Sequence, residues 1–162
     1  MSALSLFLLL VGVASANNLE ATLALENPSL TTYLDFSRTS LTGSIPTSIG
    51  LLTGLTHLDL SGNQLTGSIP SELGLCTELN KWLGIDGNRL SGSIPSEIGQ
   101  LSKLAGWFAL DGNSITGSLP SELGKLTGMT GWFSVSHNSF TGPTQVPPEL
   151  AALTGNMVAF SI

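Results

Sequence analysis

The sequence contains little cysteine and few charged residues. One cysteine in 162 residues excludes an intramolecular disulfide, a zinc site built from several cysteines and a CxxC redox motif. Five Lys and Arg stand against eleven Asp and Glu, a formal net charge of −6. A nucleic-acid partner would require clustered cations that displace counterions from phosphates. The composition therefore argues against nucleic-acid binding, and the length fits a single domain.

Long apolar runs are absent after the N-terminus. Residues 1–16, MSALSLFLLLVGVASA, combine an apolar run with Ala14 and Ala16 on either side of Ser15, the pattern of a secretory signal peptide. No later stretch approaches the ~20 apolar residues that cross a bilayer. We therefore expect a mature chain from Asn17, secreted to the extracellular space or the cell wall. The alternative is a form that an uncleaved leader anchors to the membrane.

Short motifs recur along the chain with a nearly constant period. An SIP triplet ends at Pro46, Pro70 and Pro95, and an SLP triplet ends at Pro120, so successive prolines are 24 or 25 residues apart. Periods of about 20–29 residues with regular leucines are typical of a leucine-rich solenoid. The spacing predicts about five repeats and a truncated last one over residues 30–162. Residues 17–29 are the predicted N-terminal cap, in which Leu19, Leu23 and Leu25 cover the first coil.

The repeats resemble the plant-type extracellular leucine-rich repeat, LxxLxLxxNxLTGxIPxxLGxL. Units such as LDLSGNQLTGSIP from Leu58 and FALDGNSITGSLP from Phe108 carry the resemblance. It implies an α/β solenoid with a parallel inner sheet of about six short strands, an irregular or 3-10 outer side and few true helices. It also implies a non-catalytic binding function in defence, signalling or adhesion, because receptor-kinase ectodomains and secreted polygalacturonase inhibitors share these repeats.

Several columns of the repeat are predicted to be structural. An amide side chain can satisfy backbone groups that a buried turn would otherwise leave unpaired. The asparagines in this column are Asn63, Asn88, Asn113 and Asn138. The prolines suit an irregular outer segment because they lack a backbone donor. Cys76 aligns with leucines of the other repeats, which predicts a small buried apolar side chain rather than a catalytic thiol.

A column of aromatic side chains lies six places before the asparagines, on outward-facing positions of the predicted sheet. Its neighbours along the strands include carboxylates, and aromatic rings beside acceptors suit a sugar ring or a cationic peptide equally well. The candidate ligand-binding residues are Tyr33, His57, Asp59, Trp82, Asp86, Trp107, Asp111 and Trp132. Asp35 and Asp59, and likewise Asp86 and Asp111, are like-charge neighbours across adjacent coils, and we expect these carboxylates to be solvated rather than to bind a metal.

A packing role for the same aromatic column is the alternative. The repeats that carry tryptophan have one more residue between Gly74 and Asn88 than the repeat before them has between Gly50 and Asn63. That extra residue would bulge the start of the strand and re-aim the indole. Small residues follow each indole two places on, at Gly84, Ala109 and Ser134, and they leave room for it over the sheet.

We expect no enzyme, no cofactor and no metal, because His57 and His137 lie in different repeats without a nearby nucleophile motif. The expected partners are an extracellular protein, a peptide or a glycan. The alternative function is ice binding or a structural role in the wall, through hydroxyl ladders. The ladder residues are Thr42, Thr66, Ser91, Thr116 and Thr141, with Ser44, Ser68, Ser93 and Ser118 two places on. The uncapped end at Phe160 and Ile162 predicts weak self-association or a missing C-terminal portion.

Overall fold

The computed structural model describes residues 18–23, 26–28, 30–141, 148–151 and 159–161. The predicted signal peptide, Leu25 of the predicted cap and Ile162 lie outside the described residues. Leu19 and Leu23 lie in a short helix, Leu19–Leu23, and both side chains are buried in the hydrophobic core. This helix contacts the first outer turn of the solenoid.

The repeats wind so that each coil adds one strand to a parallel six-stranded sheet, in the order β1-β2-β3-β5-β7-β8. Its strands are β1 (Tyr33–Asp35), β2 (His57–Asp59), β3 (Trp82–Gly84), β5 (Trp107–Ala109), β7 (Trp132–Ser134) and β8 (Ala159–Ser161). Every neighbouring pair is parallel because each repeat returns the chain to the same side of the coil. The predicted inner sheet of about six short strands is confirmed.

The opposite side of the coils is built from 3-10 helices. They span Thr47–Leu51, Ser71–Leu75, Ser96–Gln100 and Ser121–Lys125. An extended proline precedes each one, for example Pro46 with φ −79° and ψ 153°, where a missing backbone donor costs nothing. Besides Leu19–Leu23, the described residues contain one more short α-helix, Pro148–Ala151. The predicted 3-10 outer side with few true helices is therefore confirmed.

The core runs through the middle of the solenoid as stacked layers. The central residues of β1, β2, β3, β5 and β7 point inward and are fully buried, and neighbouring coils place Phe108 and Phe133 face to face with ring centroids 4.7 Å apart. Cys76 also lies in this core. Burial raises the pKa of its thiol to about 11, and the predicted buried position of this small side chain is confirmed.

Asparagine side chains close the turn after four of the sheet strands, β2, β3, β5 and β7. The Asn63 amide donates to the carbonyl oxygens of Phe36 and Leu60 at 2.8 and 2.9 Å, and its Oδ1 accepts the N–H of Leu41 at 2.9 Å. The same bonds recur one coil further on at each later asparagine. This confirms the structural role predicted for the column.

A second parallel ladder, absent from the sequence-based prediction, runs along the TGS segments. It contains the short strands β4 (Ser91–Gly92) and β6 (Ser114–Ile115), and its backbone bonds cross from coil to coil at 2.7–2.9 Å. The N–H of Thr66 donates to Gly43, and that of Ser91 donates to Gly67. Two-residue strands are too short to show an alternating pattern, so no sequence pattern predicted them.

Candidate functional site

The strand register places the predicted aromatic residues next to one another across five strands. Ring centroids are 4.2 Å apart between Tyr33 and His57, 5.8 Å between His57 and Trp82, 4.3 Å between Trp82 and Trp107, and 5.8 Å between Trp107 and Trp132. We call these five residues the aromatic ladder. Its length follows directly from the repeat, because one ring is added per coil.

The indole rings stand face to face rather than side by side. Trp82 and Trp107 are inclined by only 11° at 4.3 Å, a separation smaller than the width of an indole, so the two rings cannot share one plane. Their facing surfaces cover each other, so the faces between the two rings are closed to a ligand. The sequence suggested an aromatic platform, but these two side chains do not present an open flat face.

The extra residue in the tryptophan repeats is accompanied by a bulge in the coils of Trp82 and Trp132, whereas in the Trp107 coil Ala105 and Trp107 donate to separate carbonyls. The N–H groups of Asn80 and Lys81 both donate to the Thr56 carbonyl, at 3.3 and 3.1 Å. Two residues thus oppose one at the start of β3, which is the mark of a bulge. In the coil that carries Trp132, the N–H groups of Thr130 and Gly131 both donate to the Ala105 carbonyl, at 3.0 Å.

Exposure differs along the aromatic ladder. Trp107 and Trp132 keep 43% and 39% of their surface accessible, whereas Trp82 is half-buried. A Cβ at Gly84 would contact Trp82 Nε1, so this indole leans over the glycine. Trp82 Nε1 is buried and has no hydrogen-bond partner among the described residues. The exposed alternative therefore describes Trp107 and Trp132, and the packed alternative describes Trp82.

Carboxylates and the three indoles line one groove of about 490 Å³. We call it the aromatic–acidic groove. Its principal lining residues are Arg38, Asp59, Trp82, Asp86, Trp107, Asp111 and Trp132. The structure thus brings together six of the eight predicted site residues. Tyr33 and His57 belong to the same ladder but lie beyond the lining of the groove.

The acidic side of the groove carries repelling charges. Burial raises the pKa of Asp86, and the nearby carboxylates of Asp111 and Asp59 raise it further. Asp35, outside the groove, behaves differently: burial alone would raise its pKa, but two hydrogen bonds from Ser37, at 2.7 and 3.0 Å, lower it below the ordinary value. The groove therefore carries three carboxylates against one cation, Arg38.

Arg38 is a groove residue that the sequence reasoning missed. It has φ of 53°, in the position where the following coils have Gly62, Gly87 and Gly112. A Cβ at Gly62 would come within 2.9 Å of Arg38 Cγ, so the arginine stem lies over that glycine and points along the ladder. An arginine that replaces glycine in a repeated column was the available signal.

His57 is enclosed by its ring neighbours. Its Nε2 is buried without a hydrogen-bond partner in the described part of the chain. Burial lowers the pKa of the imidazole, although Asp59 and Asp35 oppose the shift. Among the described residues, no group of three or more His, Cys, Asp or Glu could hold a metal ion, and no helix is long and apolar enough to cross a membrane.

Comparison with known proteins identifies the family. The model for the Leucine Rich Repeat family matches residues 31–52, 54–76 and 81–101. The ectodomain of the Arabidopsis thaliana receptor kinase SOBIR1 is 34% identical with a TM-score of 0.71, over 80% of this chain and 68% of that one. The chain belongs to the leucine-rich repeat family. Its repeats are of the plant extracellular type, as the sequence predicted.

Two further leucine-rich repeat structures are similar. The plant peptide hormone receptor RGFR1, solved in complex with RGF2, is 39% identical with a TM-score of 0.70 over 80% of this chain, which spans only 19% of the receptor chain. A plant ice-binding protein is 32% identical with a TM-score of 0.62, over 67% of this chain and 34% of that one. No curated protein sequence matches the chain significantly.

Proposed function

We propose that this leucine-rich repeat chain is a secreted, non-catalytic recognition module that binds a peptide or protein through the aromatic–acidic groove. The observation that carries the proposal is the groove itself, where Trp107 and Trp132 are about two-fifths exposed beside carboxylates. A ladder of large apolar rings in contact with solvent costs free energy that a ligand would recover. The volume is within the range of about 300–1,000 Å³ found for ligand sites.

The similar structures support this function at the level of ligand class. RGFR1 was solved with the peptide hormone RGF2, and SOBIR1 is a receptor-kinase ectodomain. Secretion is part of the proposal and rests on the signal-peptide pattern of residues 1–16. A cell-wall glycan is the competing ligand, and the experiment below separates the two classes.

The test uses a random peptide library displayed on phage, selected against the wild-type chain. Selected peptides should bind Trp107→Ala about thirtyfold more weakly, the loss of about 2 kcal/mol expected for a hot-spot residue. Leu75→Ala is the control, because Leu75 is 51% exposed on the outer 3-10 side, away from the groove. Peptides that bind wild type and Trp107→Ala equally would exclude the groove. If the peptide library yields no binders and an array of cell-wall oligosaccharides does, the ligand is a glycan rather than a peptide.

A second candidate function is ice binding through the hydroxyl ladders. Every threonine and serine of these columns is exposed, and the backbone ladder beneath them holds successive coils in register. The similar plant ice-binding protein adds to this. Two of the hydroxyls, Thr66 and Ser91, also lie 3.2 and 3.4 Å from a carbonyl of the preceding coil, which fixes their rotamers.

Ice recrystallisation measures this second function directly. If the ladder binds ice, Thr66→Leu and Thr116→Leu should abolish inhibition of recrystallisation, and Trp107→Ala should leave it unchanged. Wild-type chain that does not inhibit recrystallisation would eliminate the ice-binding function.

A further inference from the structure

The groove leaves its carboxylates without contact ion pairs. Among the described residues, the one ion pair within 4.0 Å joins Lys103 and Glu78, on another part of the surface. Asp59, Asp86 and Asp111 face the groove together, and Arg38 is the one cationic residue in its lining. Like charges at adjacent register positions destabilise each other unless a cation compensates them. The uncompensated negative charge of the groove therefore favours a partner of positive charge.

The orientation of the rings argues against a neutral sugar. Sugar recognition by tryptophan uses an open ring face. Trp82 and Trp107 cover each other at 4.3 Å, and Trp107 and Trp132 are stacked at 5.8 Å with an inclination of 19°. What this stack offers to a ligand is mainly a row of apolar ring edges. Such a row suits a hydrocarbon stem better than a flat ring.

Stem and charge together define a ligand class. Lysine and arginine bury an apolar stem along hydrophobic surface and keep the charged head in a polar setting. Ring edges next to carboxylates provide these two environments within one groove of about 490 Å³. A guanidinium has further advantages, because it is planar, weakly hydrated and able to bind carboxylates through two parallel hydrogen bonds.

We propose that the aromatic–acidic groove binds an arginine or lysine side chain of its partner, with the cationic head at Asp86 and Asp111 and the stem along the edges of Trp82 and Trp107. This inference rests on the proposed function, because it specifies the ligand of the same groove. Arg38 occupies the end of the groove as an internal cation and opposes the entry of the ligand's charge.

The experiment uses two pentapeptides, acetyl-Gly-Gly-Arg-Gly-Gly-amide and its citrulline analogue, which has the same shape without the charge. Binding is followed by tryptophan fluorescence and calorimetry at low ionic strength. The arginine peptide should bind at least about tenfold more tightly than the citrulline peptide, since hydrogen bonds between charged groups are about twice as strong as neutral ones. Equal binding of the two peptides, or no saturable binding of either, would overturn the inference.

Charge variants with opposite expected signs sharpen the test. The double variant Asp86→Asn/Asp111→Asn should weaken the arginine peptide by about tenfold or more, whereas Arg38→Gln should strengthen it by about threefold. The double variant Glu97→Gln/Glu122→Gln removes two negative charges from the outer 3-10 side and should change nothing, which controls for net charge. A circular dichroism spectrum of each variant verifies the fold. Loss of affinity in Glu97→Gln/Glu122→Gln equal to that in Asp86→Asn/Asp111→Asn would show general attraction instead of a site.

The two proposals can fail separately. If library peptides depend on Trp107 but contain no Arg or Lys, the groove is a recognition site and the cationic ligand is wrong. If the arginine pentapeptide binds wild type and Trp107→Ala alike while Asp86→Asn/Asp111→Asn loses it, the carboxylates act without the ladder, and the proposed function through the aromatic face fails. Binding of chitotriose in preference to either pentapeptide would also overturn the cationic ligand.

Discussion

The asparagine column and the aromatic ladder are both repeated along the coils. The asparagine amides have hydrogen-bond partners, whereas two ring nitrogens of the ladder have none among the described residues. Asn88 donates to the carbonyl oxygens of Leu60, Ile85 and Asp86 at 3.0–3.2 Å and accepts the N–H of Leu65 at 3.0 Å. In the ladder, His57 Nε2 and Trp82 Nε1 are buried without partners in the described structure. Repetition alone therefore does not distinguish structural residues from candidate site residues. The hydrogen bonding of their buried polar atoms does distinguish them.

Removal of an asparagine amide should have the largest effect on stability. Asn88→Ala leaves several buried backbone groups unpaired, and each such group costs about 1–3 kcal/mol. We expect the free energy of unfolding to fall by at least about 3 kcal/mol in urea titrations followed by circular dichroism. Gln64→Ala, on an exposed side chain in the equivalent turn of the preceding coil, should be nearly neutral. A small loss in Asn88→Ala would show that water replaces the amide.

The close approach of neighbouring coils predicts the next largest effect. A Cβ at Gly74 would collide with the Glu97 carbonyl oxygen of the following coil, and backbone cannot yield as a flexible side chain does. Gly74→Ala should destabilise the fold by about 2 kcal/mol. The matched control is Gly54→Ala, because a Cβ there meets only the Thr31 carbonyl, at 3.8 Å. Equal melting temperatures for the two variants would contradict the tight contact.

The aromatic ladder should contribute less to stability than the scaffold columns do. Trp107→Ala removes two ring stacks, and an aromatic pair contributes about 0.5–1.5 kcal/mol beyond the area it buries. Since much of the indole is exposed, we expect a loss of about 1 kcal/mol in the same urea titrations. A loss as large as that in Asn88→Ala would make the ladder part of the scaffold.

The raised pKa of Asp86 predicts that its replacement gives a small gain in stability, opposite in sign to the losses expected for the variants above. The folded chain holds this proton more tightly than the unfolded chain, so ionisation of Asp86 destabilises the fold at pH values above the raised pKa. Asp86→Asn should therefore raise the melting temperature at pH 7. The gain should disappear below the ordinary value of 3.8, where both states are protonated. A gain that persists at pH 3 would have a cause other than charge.

The smallest effect on stability is expected from the titration of His57. Its pKa is lowered by burial, so the unfolded chain binds the proton more readily, and stability should decline as the pH falls below the ordinary value of 6.5. The His57 ring should titrate below this value when followed by NMR. In His57→Phe, which keeps a ring between Tyr33 and Trp82, this part of the pH dependence should vanish while the ladder stays intact.

Several features of the molecule could be read from the sequence because they depend on repetition. The period placed one strand per coil and aligned Trp82, Trp107 and Trp132 in register, and the extra residue in their repeats predicted the bulge found in the coils of Trp82 and Trp132. The second ladder was missed because its strands are only two residues long. Arg38 was missed because its role depends on the path of a long side chain over Gly62.

The sequence by itself determined the solenoid, its six-stranded parallel sheet and which residues share a column, because these follow from the spacing of leucine, asparagine and proline along one chain. The tertiary structure alone decided how the indoles face one another, how much of each is exposed and which carboxylates share a groove with Arg38. Ring orientation and charge proximity depend on the twist and bulge between coils. These are distances in space, which a repeat period along the chain does not specify.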